Sequence, residues 1–181
     1  MNIIVKPHGS DLYYCRPDTT WERENRDFYS PECVNEIYCA PVVFARVCKA
    51  GKCIGAKFVE RYYDGVGCGV LLYGATENGM VSYIDKSSIL PSPLYNPAVI
   101  EDEKEFQLVA NGEERIVTLT GTQKTVEDTI CRSSEFITLR VGDYVAIELE
   151  PAKLICTRKD EEVAISGKFC ENEIFNLKVI F

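Results

Sequence analysis

The sequence has one histidine, His8, and one tryptophan, Trp21. A single imidazole excludes every site that needs two, such as the paired histidines of a zinc protease. It leaves His8 as the only histidine able to act as a general base. No apolar run approaches the roughly 18 residues that would cross a membrane as a helix. No charged segment followed by an apolar stretch and a cleavage site opens the chain. Lysine and arginine form no cluster. With 20 basic and 28 acidic residues the formal charge is −8, so the global attraction to nucleic acid phosphate or an anionic bilayer is missing. The expectation is a cytoplasmic protein with neither nucleic acid nor membrane as partner.

Cysteine breaks this pattern of scarcity. There are nine, Cys15, Cys33, Cys39, Cys48, Cys53, Cys68, Cys131, Cys156 and Cys170. No two C-x-x-C elements occur, which excludes a zinc ribbon or finger. An odd number without a secretory signal reads as reduced thiols packing as small apolar groups. A cysteine nucleophile needs a base beside it, and the one available pair joins His8 to a thiol, Cys15 being nearest in sequence. The acidic run Glu101, Asp102, Glu103 and Glu105 reads as a solvated face. Asp18, Asp27 and Asp64 would build a carboxylate site only if the fold gathers them.

At 181 residues the chain suits one domain spanning 1–181, able to bury roughly 70 % of its unfolded surface without a metal or disulfide staple. The pattern is mainly β (α+β), with two or three short helices. Phe106–Ala110, the turn Asn111-Gly112 and Arg115–Leu119 read as a hairpin. Val42–Cys48 reads as a strand returning through Cys53-Ile54, with Gly51 in the left-handed turn position. Gly69–Tyr73 reads as a buried strand whose glycine approach allows close backbone packing. Thr125 and Asp128 resemble a capping box opening a helix to about Glu135, with Val126 and Ile130 on one face. A second helix is expected over Ala56–Tyr63. Residues 74–105, rich in proline, serine and acids, read as a long surface connection.

Two ordered blocks carry a resemblance. One runs Arg16-Pro17-Asp18-Thr19-Thr20, Asn25-Arg26-Asp27-Phe28-Tyr29, Asn35-Glu36-Ile37, the Val42–Cys48 strand, Gly51-Lys52, Lys57-Phe58, Arg61-Tyr62-Tyr63-Asp64 and Gly67-x-Gly69. The other runs Thr120-Gly121-Thr122, Glu127-Asp128-Thr129-Ile130, Phe136-Ile137-Thr138-Leu139 and Val141-Gly142-Asp143. In this order and spacing they resemble the fumarylacetoacetate hydrolase family over most of residues 15–150. The resemblance implies a mixed β-roll or sandwich fold and a homodimer. It implies a carboxylate-bound Mg²⁺ or Mn²⁺ that chelates a 2-oxo or 1,3-dicarbonyl acid and stabilises its enolate.

The same resemblance locates the metal ligands, and none is an acid here. The family's Glu-x-Glu pair falls on Ala40 and Val42, and its third carboxylate falls on Leu71. Three hydrocarbon side chains hold no hard cation. His8 is followed by Gly9-Ser10-Asp11 and lacks the His-x-x-Glu spacing of the family's lid. The family's Thr-Gly-Thr-Pro loop stands here as Glu148-Leu149-Glu150-Pro151. The resulting expectation is a shortened, divergent homologue with no metal or other cofactor and no catalytic residue, retained as a binding or assembly scaffold. Its vestigial pocket comprises Arg16, Ala40, Val42, Leu71, Tyr73 and Pro151, with Arg16 able to receive a small carboxylic acid. Its expected partner is a second copy or an active family relative. The alternative is an active hydrolase, decarboxylase or isomerase with a relocated Mg or Mn site.

Overall fold

The computed structural model describes residues 1–100 and 104–181. Most of the acidic run, Glu101, Asp102 and Glu103, therefore lies outside the described residues. The described strands are β1 (Asn2–Lys6), β2 (Tyr14–Pro17), β3 (Trp21–Glu22), β4 (Phe28–Tyr29), β5 (Glu36–Val47), β6 (Tyr63–Thr76), β7 (Gly79–Val81), β8 (Ser88–Ile89), β9 (Glu105–Ala110), β10 (Glu113–Thr118), β11 (Tyr144–Glu148), β12 (Lys153–Thr157), β13 (Glu162–Phe169) and β14 (Asn172–Ile180). One α-helix, α1 (Thr122–Phe136), and short 3₁₀ turns complete these residues. The mainly β expectation holds.

The larger sheet has the order β2-β1-β11-β5-β6-β8-β3, with β12 also pairing β5 and β7 pairing β6. The smaller has the order β10-β9-β13-β14-β4. Side chains alternate across a strand, so β5 and β6 serve two apolar clusters. Val43, Ala45, Val70 and Leu72 join Phe106, Ile165 and Phe175 of the smaller sheet and Val126 and Ile130 of α1. Val42, Phe44 and Leu71 face the other way, against Ile3, Val5, Leu90, Tyr144 and Ala146.

The sequence reading of β5 starts too late and pairs it with the wrong partner. β5 begins at Glu36 and continues through Pro41, and it pairs with β6 rather than with Cys53-Ile54. Proline inside a central strand removes a ladder donor. It is tolerated here because its side of β5 changes partner at this point, β11 pairing as far as Val42 and β12 starting at Cys39. The Pro41 carbonyl still accepts from Leu149 N–H at 2.9 Å. Gly51 is not left-handed; Cys53 takes that conformation with φ 51°, and Gly51 bridges Leu139.

Asn111 and Gly112, with φ of 51° and 75°, form the expected turn between β9 and β10. Positive φ at both central positions matches the right-handed twist of the strands it joins. The helix starts three residues before the expected cap. Left-handed Gly121 precedes it and Thr125 lies inside its first turn. The stretch over Ala56–Arg61 is a 3₁₀ helix rather than an α-helix.

Residues 74–105 are not simply a surface connection. Ser87, Ser88, Ile89 and Leu90 are fully buried, and β8 pairs with β6 on one side and β3 on the other. Gly69 permits this: a Cβ there would meet the Ile89 carbonyl oxygen at 2.2 Å. The close packing expected of this glycine-rich strand is therefore a backbone crossing. Gly69→Ala is expected to push β8 off the sheet and to destabilise the protein by at least about 1–3 kcal/mol, the usual range for overpacking. Urea denaturation followed by circular dichroism measures it.

Candidate functional site

Ala40 lies directly opposite Leu71, and Val42 opposite both Gly69 of β6 and Glu148 of β11. Opposed residues share a face, so the three positions of the implied metal ligands lie together and Glu148 joins them. Ala40, Val42 and Leu71 are completely buried.

Arg16 enters from β2, where it pairs with Ile3 of β1. Its guanidinium is 0 % exposed. Nη1 donates to the Leu72 carbonyl at 3.1 Å, to Ser87 Oγ at 3.2 Å and to Ser88 Oγ at 3.3 Å. The side chain thereby ties β2, at one end of the large sheet, to β8 near the other. Thr20 Oγ1 shares a 3.0 Å hydrogen bond with Ser88 Oγ and supports the tie. The guanidinium lies 4.4 Å from the Tyr73 ring centre, a cation–π contact. No carboxylate among the described residues is within ion-pair distance of it, and its Nε and Nη2 have no hydrogen-bond partner. Buried donors left unpaired cost about 1–3 kcal/mol each.

Tyr73 links this cation to the one acid of the group. The Tyr14 and Tyr73 hydroxyls share a 2.5 Å hydrogen bond, and Tyr73 also bonds Glu148 Oε1. Tyr73 has one proton, so it donates to the carboxylate and receives from Tyr14. Burial pushes the Tyr73 phenol far above its ordinary value; Arg16 opposes the shift, while Tyr14 and Glu148 add to it. Tyr73 therefore serves as a donor and not as a base. The other oxygen of Glu148 accepts from the His8 backbone N–H at 3.0 Å.

The expected residues lie near one another in part, as packed side chains. Arg16, Ala40, Val42, Leu71 and Tyr73 come together, whereas Pro151 is exposed beyond the end of β11. Tyr14, Glu148, Ser87 and Ser88 belong to the group but were not among the expected pocket residues. Alternation from Tyr144 and Ala146 to Glu148 was the available signal for Glu148, had the buried face of β11 been known. The two serines were hidden by the proline-rich composition around them.

The remaining candidates do not converge. Asp64 pairs with Arg46, Asp18 approaches the chain's N-terminal amine, and Asp27 accepts from Lys178 N–H. His8 is exposed in a turn, and no hydrogen bond joins it to Cys15. Burial and the charge of Asp143 raise the Cys15 thiol, against its use as a thiolate. Among the described residues no group of three or more histidine, cysteine, aspartate or glutamate side chains could hold a metal.

A hard divalent cation takes several oxygens, carboxylates foremost. Here the group supplies one carboxylate with both oxygens engaged, and a buried guanidinium repels a second positive charge. These residues do not fit Mg²⁺ or Mn²⁺. The two buried guanidinium nitrogens without a partner, Nε and Nη2, form the planar fork that matches a carboxylate in charge and shape.

No protein-family model matches the sequence, and no curated protein matches it. Solved structures do match. A Yersinia pestis CO92 protein assigned to the fumarylacetoacetate hydrolase family superposes with a TM-score of 0.78 at 15 % identity, over 99 % of this chain and 92 % of that one. Fumarylpyruvate hydrolase from Pseudomonas aeruginosa, solved with Mn²⁺ and pyruvate, gives 0.74 at 17 %, over 99 % and 96 %. Maleylpyruvate hydrolase from Sphingobium sp. SYK-6, solved with manganese(II) ion and pyruvate, gives 0.78 at 16 %, over 99 % and 70 %. The chain has the fold of the fumarylacetoacetate hydrolase family over nearly its whole length.

The Cys39 and Cys156 thiols are pushed up to about 12, mainly by burial, and Cys68 is also raised by burial. Exposed Cys33 and Cys53 are expected to alkylate first with iodoacetamide, and buried Cys39, Cys68 and Cys156 only on unfolding, as peptide mass mapping would show. The folded protein holds these buried protons above the ordinary thiol value of 9.0, so the unfolded chain releases them first. The stability they contribute is complete below about pH 9 and declines as the pH rises toward 12. Urea midpoints measured across that range are expected to fall.

Proposed function

We propose that this chain is a divergent member of the fumarylacetoacetate hydrolase family that binds a small carboxylic acid without a divalent metal. The single observation that carries the reading is the replacement set. Hydrocarbon side chains stand at Ala40, Val42 and Leu71, and beside them a fully buried Arg16 has two unpaired nitrogens. In that reading Arg16 supplies the fixed positive charge. Its free Nε and Nη2 form a bidentate pair with the ligand carboxylate, and Ser87, Ser88 and the Leu72 carbonyl hold the guanidinium in place. Tyr73 stacks on the guanidinium and orients it, and Glu148 fixes the Tyr73 hydroxyl.

A guanidinium neutralises a carboxylate but offers no vacant orbital to a carbonyl oxygen. Lewis-acid stabilisation of an enolate therefore has no source in these residues. The proposed role is accordingly a binding or assembly scaffold, as a homodimer or as a heterodimer with an active relative. The two 2-oxo acid hydrolases of the same fold were solved with pyruvate, which makes pyruvate the first ligand to try.

Isothermal titration with pyruvate and with oxaloacetate, in EDTA and again in Mn²⁺, tests the reading. Binding is expected to be the same in EDTA and in Mn²⁺, with no decarboxylation of oxaloacetate. Arg16→Lys keeps a charge that can reach the Ser87 and Ser88 hydroxyls but lacks the fork. It is expected to fold, as judged by circular dichroism, and to bind about tenfold or more weakly. Tight Mn²⁺ binding with oxaloacetate turnover would overturn the proposal, as would pyruvate affinity unchanged in Arg16→Lys.

A further inference from the structure

A cleft of about 480 Å³ opens on the same sheet face beyond the Arg16 group; Trp21, Arg23, Arg46, Ser92, Leu94 and Tyr144 line it together with Met1 and Gly142. Its size is that of a small-molecule site. Arg46 lies four residues beyond Val42 on β5, about 13 Å at the usual strand rise. Fully buried Phe44 and Ala146 fill the space between. The two sites are therefore separate.

The floor of the cleft is aromatic. The Trp21 and Tyr144 rings lie 5.2 Å apart between centroids, and Phe44 supports Tyr144 edge-on at 5.7 Å. Trp21 is held in place by its indole N–H, which donates to the Leu90 carbonyl at 3.1 Å. The walls are cationic. Arg23 stacks 4.9 Å from the Trp21 ring centre, and it has no carboxylate or hydrogen-bond partner among the described residues. Arg46 is opposite Tyr144 in the sheet. It donates through Nε and Nη2 to Asp64 at 3.0 and 2.8 Å, leaving Nη1 free. The Tyr144 hydroxyl has no partner among the described residues. Burial raises this phenol; the Arg46 and Arg23 charges oppose the shift and Asp64 adds to it.

Arg23, Arg46, Tyr144 and Ser92 thus line one cleft, and among the described residues its two arginines share a single ion-pair partner, Asp64, in a protein whose overall charge is −8. We infer that this cleft binds a small anion carrying a flat apolar ring, its charged oxygens received by Arg23, Arg46 and Tyr144 and its ring placed on Trp21. Carboxylate and phosphate groups share the required chemistry.

Trp21 is the only tryptophan beside ten tyrosines, so fluorescence excited selectively in the tryptophan band reports on this cleft. Benzoate and phenyl phosphate are titrated as the two charged probes, benzamide as the ring without charge and inorganic phosphate as the charge without ring. Saturable quenching is expected with at least one charged ring, tighter than with either control. The better of benzoate and phenyl phosphate identifies the anionic group. Arg23 is exposed, so Arg23→Gln is expected to keep the fold and to weaken the better probe about tenfold, the usual loss for one charge-assisted bond. Arg16→Lys is expected to leave the titration unchanged, which separates this site from the one proposed above. No saturable response to either charged ring would overturn the inference. So would equal response to benzamide or to inorganic phosphate, or an unchanged affinity in Arg23→Gln.

Discussion

Twelve opposed pairs, from Glu36 with Ala75 to Val47 with Tyr63, join β5 to β6. The alternation of this one ladder assigns every side chain along it to one of two interiors. One face lies against the helix and the smaller sheet. The other carries Ala40, Val42, Phe44, Arg46 and Leu71, and with them both the Arg16 group and the Trp21–Tyr144 cleft. A one-residue slip in the register would exchange the two sets. Gly69 and Gly67 hold their positions in the ladder because the Ile89 backbone and the Phe44 ring occupy the space that a side chain would fill.

The Arg16 group is a buried polar centre with no carboxylate within ion-pair distance among the described residues. A metal site in this fold demands several acids around a doubly charged ion. Here Val42 and Leu71 are packed among Ile3, Val5 and Leu90. A buried guanidinium remains a demanding guest. It is met here by neutral oxygens and an aromatic face rather than by an ion pair. In the proposed reading the charge left uncompensated is the charge that recognises a carboxylate. The Tyr14–Tyr73–Glu148 chain then keeps the single acid at a distance, where it does not neutralise Arg16 directly.

Local chemistry was legible where it was self-contained. Asn111-Gly112 demands a two-residue turn whatever surrounds it, and the flanking strands follow. Val126 and Ile130 share a helix face by periodicity alone. Legibility failed where a neighbour decided the outcome. Pro41 reads as a strand breaker, yet β11 and β12 change over beside it. Thr125 reads as a cap, yet left-handed Gly121 starts the helix earlier. Ser87 and Ser88 sit among prolines that read as a surface connection, yet Arg16 draws them into the interior.

By itself the sequence determined the mainly β character, the exclusion of multi-histidine chemistry and the absence of carboxylates at 40, 42 and 71. Each of these rests on residue identity and short-range pattern, which survive any folding context. Only the tertiary structure decided that Arg16 is buried without a carboxylate, that Glu148 faces Val42, and that Trp21, Arg23, Arg46 and Tyr144 share one cleft. Those facts depend on strand order and register between segments distant in sequence, such as β1 with β11 and β11 with β5. Such pairings are selected by burial of the whole sheet, and no local stretch of the chain encodes them.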